Sequence, residues 1–280
     1  MSHSEDRLLL KSLLVLGSVI EARDAYTGGH AWRVAQFAKL LAEKAGLGAS
    51  QASLAALGGY VHDLGKVGVS DAILHKAAPL TGAEVEAMRA HPAIGRGLVA
   101  DHPLGKLVLD SVYRHHERFD GQGYPEAVGP SGLELYPRIV SVADALDAMT
   151  STRPYRQALD LPEAVSRLRA ERDRQFDGRL VDAMAAMAQE GRLAGIIGHS
   201  DHETPLVRCP RCGPVIAVAR TAQDGDTVHC RVCRAKHRLH AAGKTFEVEF
   251  LDERALAVAL EPELEQIHGL LRELPDRLSP

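Results

Sequence analysis

The chain opens on a helical period. Between residues 5 and 25, Leu9, Leu13, Leu16 and Ile20 recur at intervals of four, three and four, which sets them on one stripe of a helix. Such a stripe packs on the protein's own helical core or, here across only two heptads, forms the seam of a parallel homodimer. From 30 to 190 the apolar positions keep helical spacing between short breaks at Gly46-Leu47-Gly48, Pro79, Pro92, Pro103, residues 121–130 and Pro137. No stretch there sustains the two-residue alternation of a strand, so the reading is an all-α domain. Near Gly191 the pattern changes, and Gly195, Gly198, His199, Ser200 and Asp201 make a polar passage. Beyond it the apolar residues fall into short β-rich runs at 214–219 and 245–250. Helical spacing then returns over 252–273 at Leu256, Leu260, Leu264, Ile267 and Leu271. The expected order is an N-terminal helix at 1–25, a helical domain at 26–196, a small β-rich module at 203–250 and a C-terminal helix at 251–280.

Composition narrows this picture without redirecting it. At 280 residues, 45% hydrophobic and 25% charged, the chain can fill one sizeable core and a small accessory module, and global disorder is excluded. The 33 basic side chains against 37 acidic ones leave a formal charge of -4, with no overall pull toward nucleic acid or an anionic membrane. The apolar run from 8 to 20 is broken by Lys11, Ser12, Gly17 and Ser18 and falls well short of the roughly 20 residues a membrane-spanning helix needs. Glu5 and Asp6 precede it with only Arg7 opposing them, the reverse of a secretory leader.

All four cysteines occur late, as Cys209/Cys212 and Cys230/Cys233, two Cys-x-x-Cys pairs separated by seventeen residues. That spacing fits two knuckles on facing hairpins, a zinc ribbon in which four thiolates close a tetrahedral structural site. Unpaired thiols in this pattern place the chain in a reducing cytoplasm. Arg208, Arg211, Arg220, Arg231, Arg234, Lys236 and Arg238 outnumber the local acids, yet sparse aromatics argue against a platform for single-stranded nucleic acid. That basic surface suits an acidic protein partner, or is simply solvated charge. Ribbon and terminal helix are expected to be dispensable for chemistry, so that a fragment ending near Gly198 stays active.

The candidate chemistry lies earlier, in His30, the pair His62-Asp63, His91, the pair His115-His116 and Asp144. These are imidazoles and carboxylates without a thiolate, a set suited to two hard-to-borderline cations side by side. His62 and Asp63 are neighbours on a predicted helix about 100° apart, and Asp63 is the candidate bridge between two ions. His30 and Asp144 complete one side, with His91, His115 and His116 on the other. Lys66, three residues past Asp63, can meet a phosphate oxygen as a point charge. Glu117, beside His116, is placed to orient a ligand imidazole.

The run His115-His116-Glu117-Arg118-Phe119-Asp120-Gly121-Gln122-Gly123-Tyr124-Pro125, preceded by the histidines and aspartate above and followed by Asp144, resembles the HD-GYP subgroup of the HD phosphohydrolase superfamily. The resemblance spans residues 20 to 190 and continues into Arg153-Pro154-Tyr155-Arg156 and Gln175-Phe176-Asp177. It implies a cyclic di-GMP phosphodiesterase with a dinuclear centre, iron or manganese first and nickel, cobalt or zinc as alternatives, with Asp63 and Lys66 as catalytic residues. It further implies substrate contacts from Lys66, Arg153, Arg156 and Tyr124, whose ring is a surface for stacking. Some members carry a glutamate four residues before the first motif histidine, associated with a third metal. Tyr26 stands there in this chain and Asp24 is out of phase with His30, so two metals are expected. Rival readings are a catalytically impaired cyclic dinucleotide sensor that signals through the ribbon, and a hydrolase of another cyclic dinucleotide or nucleotide phosphoester.

Overall fold

A computed structural model describes residues 3–24, 28–76, 78–152, 156–200, 206–219, 221–230, 233–243, 245–252 and 264–274. Ten helices precede any strand: α1 (His3–Arg23), α2 (His30–Lys44), α3 (Ala49–Val61), α4 (Asp71–Leu74), α5 (Gly82–Arg89), α6 (His91–Ala100), α7 (Leu109–Arg114), α8 (Leu135–Thr150), α9 (Leu161–Ala170) and α10 (Gly178–Gln189). The expected helical domain is therefore all-α among the described residues. Its centre is the packing of α2, α3 and α8, where Trp32, Phe37, Leu41, Leu57, Ile139 and Leu146 are almost wholly buried. Small residues at Ala35, Ala38, Ala52, Ala55 and Ala56 share that core and let the helices approach closely.

The phase of α1 differs from the four-three-four reading. Leu10, Leu13, Leu14 and Ile20 are buried, whereas Leu8, Leu16 and Val19 are 67%, 47% and 47% exposed. The inward face is centred on Gly17, where a Cβ would fall 2.9 Å from ring carbons of the buried Tyr60. A count of large apolar residues overlooks a glycine that is a contact position because it lacks a side chain. Two of the four predicted stripe residues, Leu13 and Ile20, thus face the protein's own core.

The described strands all lie between Val207 and Asp252, where short β-rich runs were expected. β1 (Val207–Cys209) pairs antiparallel with β2 (Gly213–Ile216), and β3 (Thr227–His229), β4 (Lys236–Ala242) and β5 (Thr245–Asp252) form an antiparallel sheet in that order. Val207, Cys209, Val215, Ile216, Val218, Cys230 and Leu239 make a separate small core.

The last described helix, α11 (Leu264–Glu273), returns to the helical domain. Ile267, Leu270, Leu271 and Leu274 join the main core, Arg7 donates to the Leu271 carbonyl at 3.0 Å, and Gln36 and Lys39 donate to the Glu273 carboxylate at 3.3 and 3.0 Å. The predicted spacing at Ile267 and Leu271 marks this buried face, while Leu256 and Leu260 lie outside the described residues. α11 is consequently part of the packing of the helical domain. Among the described residues no helix is long and apolar enough to cross a membrane.

Candidate metal centre

Helix ends supply most of the converging side chains. His30 is the first residue of α2 and His91 the first of α6, His62 caps α3, and His115 caps α7. Asp63 opens the short 3-10 turn Leu64–Gly68, His116 follows α7, and Asp144 lies within α8. The helical reading had set His62 and Asp63 on one continuous helix, and the adjacent pair His115-His116 raises the same question. Both pairs instead lie just past a helix end, where the chain leaves the 100° step and adjacent side chains converge on one centre. Gly65 makes this possible for Asp63, because a Cβ there would collide with the His91 carbonyl.

The two oxygens of Asp63 face two different groups. Its Oδ2 lies 3.6 Å from His30 Nε2 and 3.3 Å from His62 Nε2, while Oδ1 lies 3.4 Å from His91 Nε2. Asp144 Oδ1 is 3.6 Å from His30 Nε2 and 3.9 Å from His62 Nε2. On the opposite side His91 Nε2 approaches His115 Nε2 at 3.2 Å, and His116 packs its ring on His115 with centroids 4.1 Å apart. Ligand atoms of His30, His62 and Asp144 lie within 4.8 Å of one another, as do those of His91, His115 and His116, and those of His62, Asp63 and His115.

The far nitrogens are tied down, which fixes each ring. His62 Nδ1 donates to the Gly59 carbonyl at 2.7 Å, His91 Nδ1 to Met88 at 2.7 Å, and His115 Nδ1 to Ser111 and Val112 at 3.0 Å each. His30 Nδ1 donates to Asp147 Oδ2 at 2.8 Å, and Asp147 in turn accepts from Arg33 Nε at 2.5 Å. Each of these imidazoles therefore turns Nε2 toward the centre, the orientation in which histidine binds a metal. His62 Nε2 is buried without a hydrogen-bond partner. A buried polar atom left in this state costs about 1–3 kcal/mol, so a donor set that strands it fits a cation.

Charge is distributed to the same end. Burial by itself would lower the His30 imidazole, yet Asp147 and Asp63 lift it to about 10, showing how much that side of the site favours positive charge. His91, His115 and His116 are held neutral by burial and by one another, His116 down at about 3. Although burial opposes ionisation of Asp63, Lys66 and His62 keep its carboxyl well below the usual range.

Lys66 Nζ sits 2.8 Å from Asp63 Oδ2 and 3.0 Å from Asp24 Oδ2. A small cleft beside it is lined by Gly17, Ile20, Glu21, His30, His62, Asp63 and Lys66, so α1 forms one wall of the site. Tyr124 stacks on the His116 ring with centroids 4.8 Å apart and 25° between planes, and the Arg89 guanidinium lies 5.2 Å from its centroid.

Glu117 departs from the sequence reading. Its buried carboxylate accepts from the Glu126 and Val128 backbone amides at 2.7 and 3.2 Å, so it holds the glycine-rich loop and touches no ligand imidazole among its described contacts. Arg156 donates to the Ala148 carbonyl, one turn beyond Asp144. Arg153 and Tyr26 lie outside the described residues. Sequence reasoning missed Arg33 and Asp147. Each stands three residues after a proposed ligand on the same helix, a spacing that could have flagged both.

Similarity to known proteins agrees with this geometry. The chain is 37% identical over 179 residues to the cyclic di-GMP phosphodiesterase response regulator RpfG of Xanthomonas campestris, covering 62% of this chain and 47% of that protein. It is 33% identical over 162 residues to the 3'3'-cGAMP-specific phosphodiesterase 3 of Vibrio cholerae, covering 58% and 35%. A cyclic di-GMP phosphodiesterase of Thermotoga maritima is 32% identical over 184 residues, covering 65% and 50%. The chain thus spans half or less of the length of these relatives. A solved HD-GYP-type protein from Bdellovibrio bacteriovorus shares the fold at a TM-score of 0.50 and 19% identity, over 59% of this chain and 53% of the other. A model described as the HD domain matches residues 15–180, more than half of the chain and a range that contains every histidine and aspartate of the centre; the chain belongs to the HD domain family.

Proposed function

We propose that the chain hydrolyses a cyclic dinucleotide, cyclic di-GMP, at a dinuclear centre bridged by Asp63. The observation that carries this reading is the division of the Asp63 oxygens between the His30/His62 side and the His91 side. His30, His62 and Asp144 would hold one divalent ion and His91, His115 and His116 the other, iron or manganese first, with nickel, cobalt or zinc as alternatives. Such a pair supplies Lewis-acid polarisation of a phosphodiester and a water of lowered pKa. Lys66, paired with Asp63 at the edge of the site, offers a point charge to a phosphate oxygen. Tyr124 offers its ring at the His116 side, and Arg153 and Arg156 are the candidate partners for the second phosphate or a guanine edge, which suits the guanidinium fork. Glu117 holds the loop that carries Tyr124.

Two of the relatives are named for cyclic di-GMP and one for 3'3'-cGAMP, which supports a cyclic dinucleotide and makes the second compound the natural comparison. We place the protein in the cytoplasm because free Cys209, Cys212, Cys230 and Cys233 persist in a reducing compartment. Anaerobic purification with metal analysis, followed by chromatography of products from both dinucleotides, tests the reading. Cleavage of cyclic di-GMP by protein carrying two ions in the histidine and aspartate centre is expected. Protein so loaded that binds the dinucleotides and cleaves neither would instead be a sensor.

A further inference from the structure

The four thiols of Cys209, Cys212, Cys230 and Cys233 gather within 4.8 Å of one another, with Cys209 and Cys230 fully buried. His237 is also fully buried, its Nε2 lies 3.7 Å from Cys209 Sγ, and its Nδ1 has no hydrogen-bond partner. A buried imidazole whose Nε2 faces one member of a thiol quartet is placed to donate to a thiolate there, as the surroundings of a closed tetrahedral thiolate site do.

Two contacts join this quartet to the catalytic domain. Gly213 directly follows Cys212, has φ +87°, and approaches two side chains so closely that a Cβ there would lie 3.2 Å from Thr152 Oγ1 and 3.7 Å from Gln157 Oε1. Thr152 is buried, and its hydroxyl accepts from the Ala158 amide at 3.4 Å; in sequence, the proposed substrate contacts Arg153 and Arg156 fall between these two residues. The second contact is the passage between the domains. The His199 carbonyl accepts from Arg33 Nη1 at 2.9 Å, and a Cβ on Gly29 would fall 2.6 Å from the Ser200 Cα. Arg33 holds Asp147, which holds His30.

We propose that the cysteine quartet is an effector site for a thiophilic divalent cation, zinc by its ligand set, whose occupancy braces Thr152 and Gln157 through the Gly213 knuckle and so sets the affinity for substrate. The proposal rests on the phosphodiesterase reading. Structural zinc supplies much of the folding free energy of a small ribbon, so loss of the cation releases the Gly213 knuckle from Thr152 and Gln157. The histidine and aspartate centre keeps its ligands, since none of them belongs to the ribbon. Coupling between two sites is typically worth about 5- to 150-fold, and a rise in KM of roughly tenfold is expected here.

The test uses the full chain in three forms: unaltered, Cys212→Ser with Cys233→Ser, and Gly213→Ala. Cobalt(II) titration, followed by thiolate charge-transfer absorption, reports the quartet. Metal analysis reports the other centre, and hydrogen exchange over 151–158 reports the brace. The double serine variant should lose the cobalt signal, keep the catalytic metals, exchange faster over 151–158 and show the raised KM. Gly213→Ala should keep the cobalt signal and still show faster exchange and raised KM, which separates the contact from ribbon unfolding. Unchanged exchange and KM in a variant that has lost the thiolate-bound cation would overturn the proposal. If the unaltered chain cleaves no cyclic dinucleotide, the phosphodiesterase reading fails, and the exchange comparison alone decides the coupling.

Discussion

In the helical domain the converging ligands are imidazoles and carboxylates; in the ribbon they are four thiols. The first set has an open side, with Asp63 and Asp144 side chains 18% and 23% exposed beside His30, His62, His91 and His115, which are almost fully covered. In the second set Cys209 and Cys230 are at 0% while Cys212 and Cys233 are half-buried. Oxygen and nitrogen donors with an accessible face suit cations that must meet a substrate, whereas four thiolates leave no coordination position for one. The difference teaches that donor type and coordination number, read together, separate a centre suited to chemistry from a centre suited to structure or control.

The comparison is broken most severely at Asp63. Asp63→Ala removes the side chain shared by the two histidine groups, and hydrolysis should fall by roughly a thousandfold or more, about 4 kcal/mol of barrier. Metal analysis should show depletion of the histidine centre while the cysteine quartet still takes up cobalt. Near-normal turnover with two metals retained would remove Asp63 from the bridging role.

Leu270→Ala tests where the catalytic domain ends. Leu270 is 2% exposed in the main core, and truncating a buried leucine costs about 2–5 kcal/mol. A lowered melting temperature for the catalytic domain, with the ribbon's cobalt affinity unchanged, is the expected outcome. It also implies that a fragment ending near Gly198, which the sequence suggested would stay active, loses stability because it discards α11. A fragment as stable as the full chain would contradict this.

Asp147→Asn probes the support behind His30. Substitutions of this kind typically cost about 10- to 100-fold in metal affinity or activity. The Asp147 carboxyl is held well below the usual range because Arg33 and His30 outweigh its burial. A depressed folded value contributes stability above the ordinary carboxylate range and loses it as pH falls through the folded value, so the variant should show a shallower loss of stability in acid. Equal acid sensitivity in both proteins would show that Asp147 carries no such linkage.

The smallest effect is expected at Glu117. Glu117→Gln weakens the capture of the Glu126 and Val128 amides, about 1–2 kcal/mol, and should raise KM without emptying the metal centre. Metal loss in that variant would return Glu117 to the role of a ligand orienter.

Much of this was legible in residue order. Helical spacing from 30 to 190 gave the all-α domain, and the residue types of His30, His62, Asp63, His91, His115, His116 and Asp144 marked the centre before any geometry was known. Less legible were features that depend on what is absent or distant. Gly17 sets the phase of α1 through a missing side chain, and Gly65 admits the His91 backbone for the same reason. Glu117 was misread because its partners are backbone amides nine and eleven residues away, to which side-chain patterns are blind. The return of α11 to α1 crosses more than 250 residues, and no local period encodes a contact of that separation.

The most direct test is a crystal of the full chain with anomalous scattering recorded at the iron, manganese and zinc edges. The account predicts two ions about 3.5–4 Å apart with one Asp63 oxygen on each, and a separate ion within the four cysteines. A single ion in the histidine and aspartate centre, or a pair that Asp63 does not join, would contradict it.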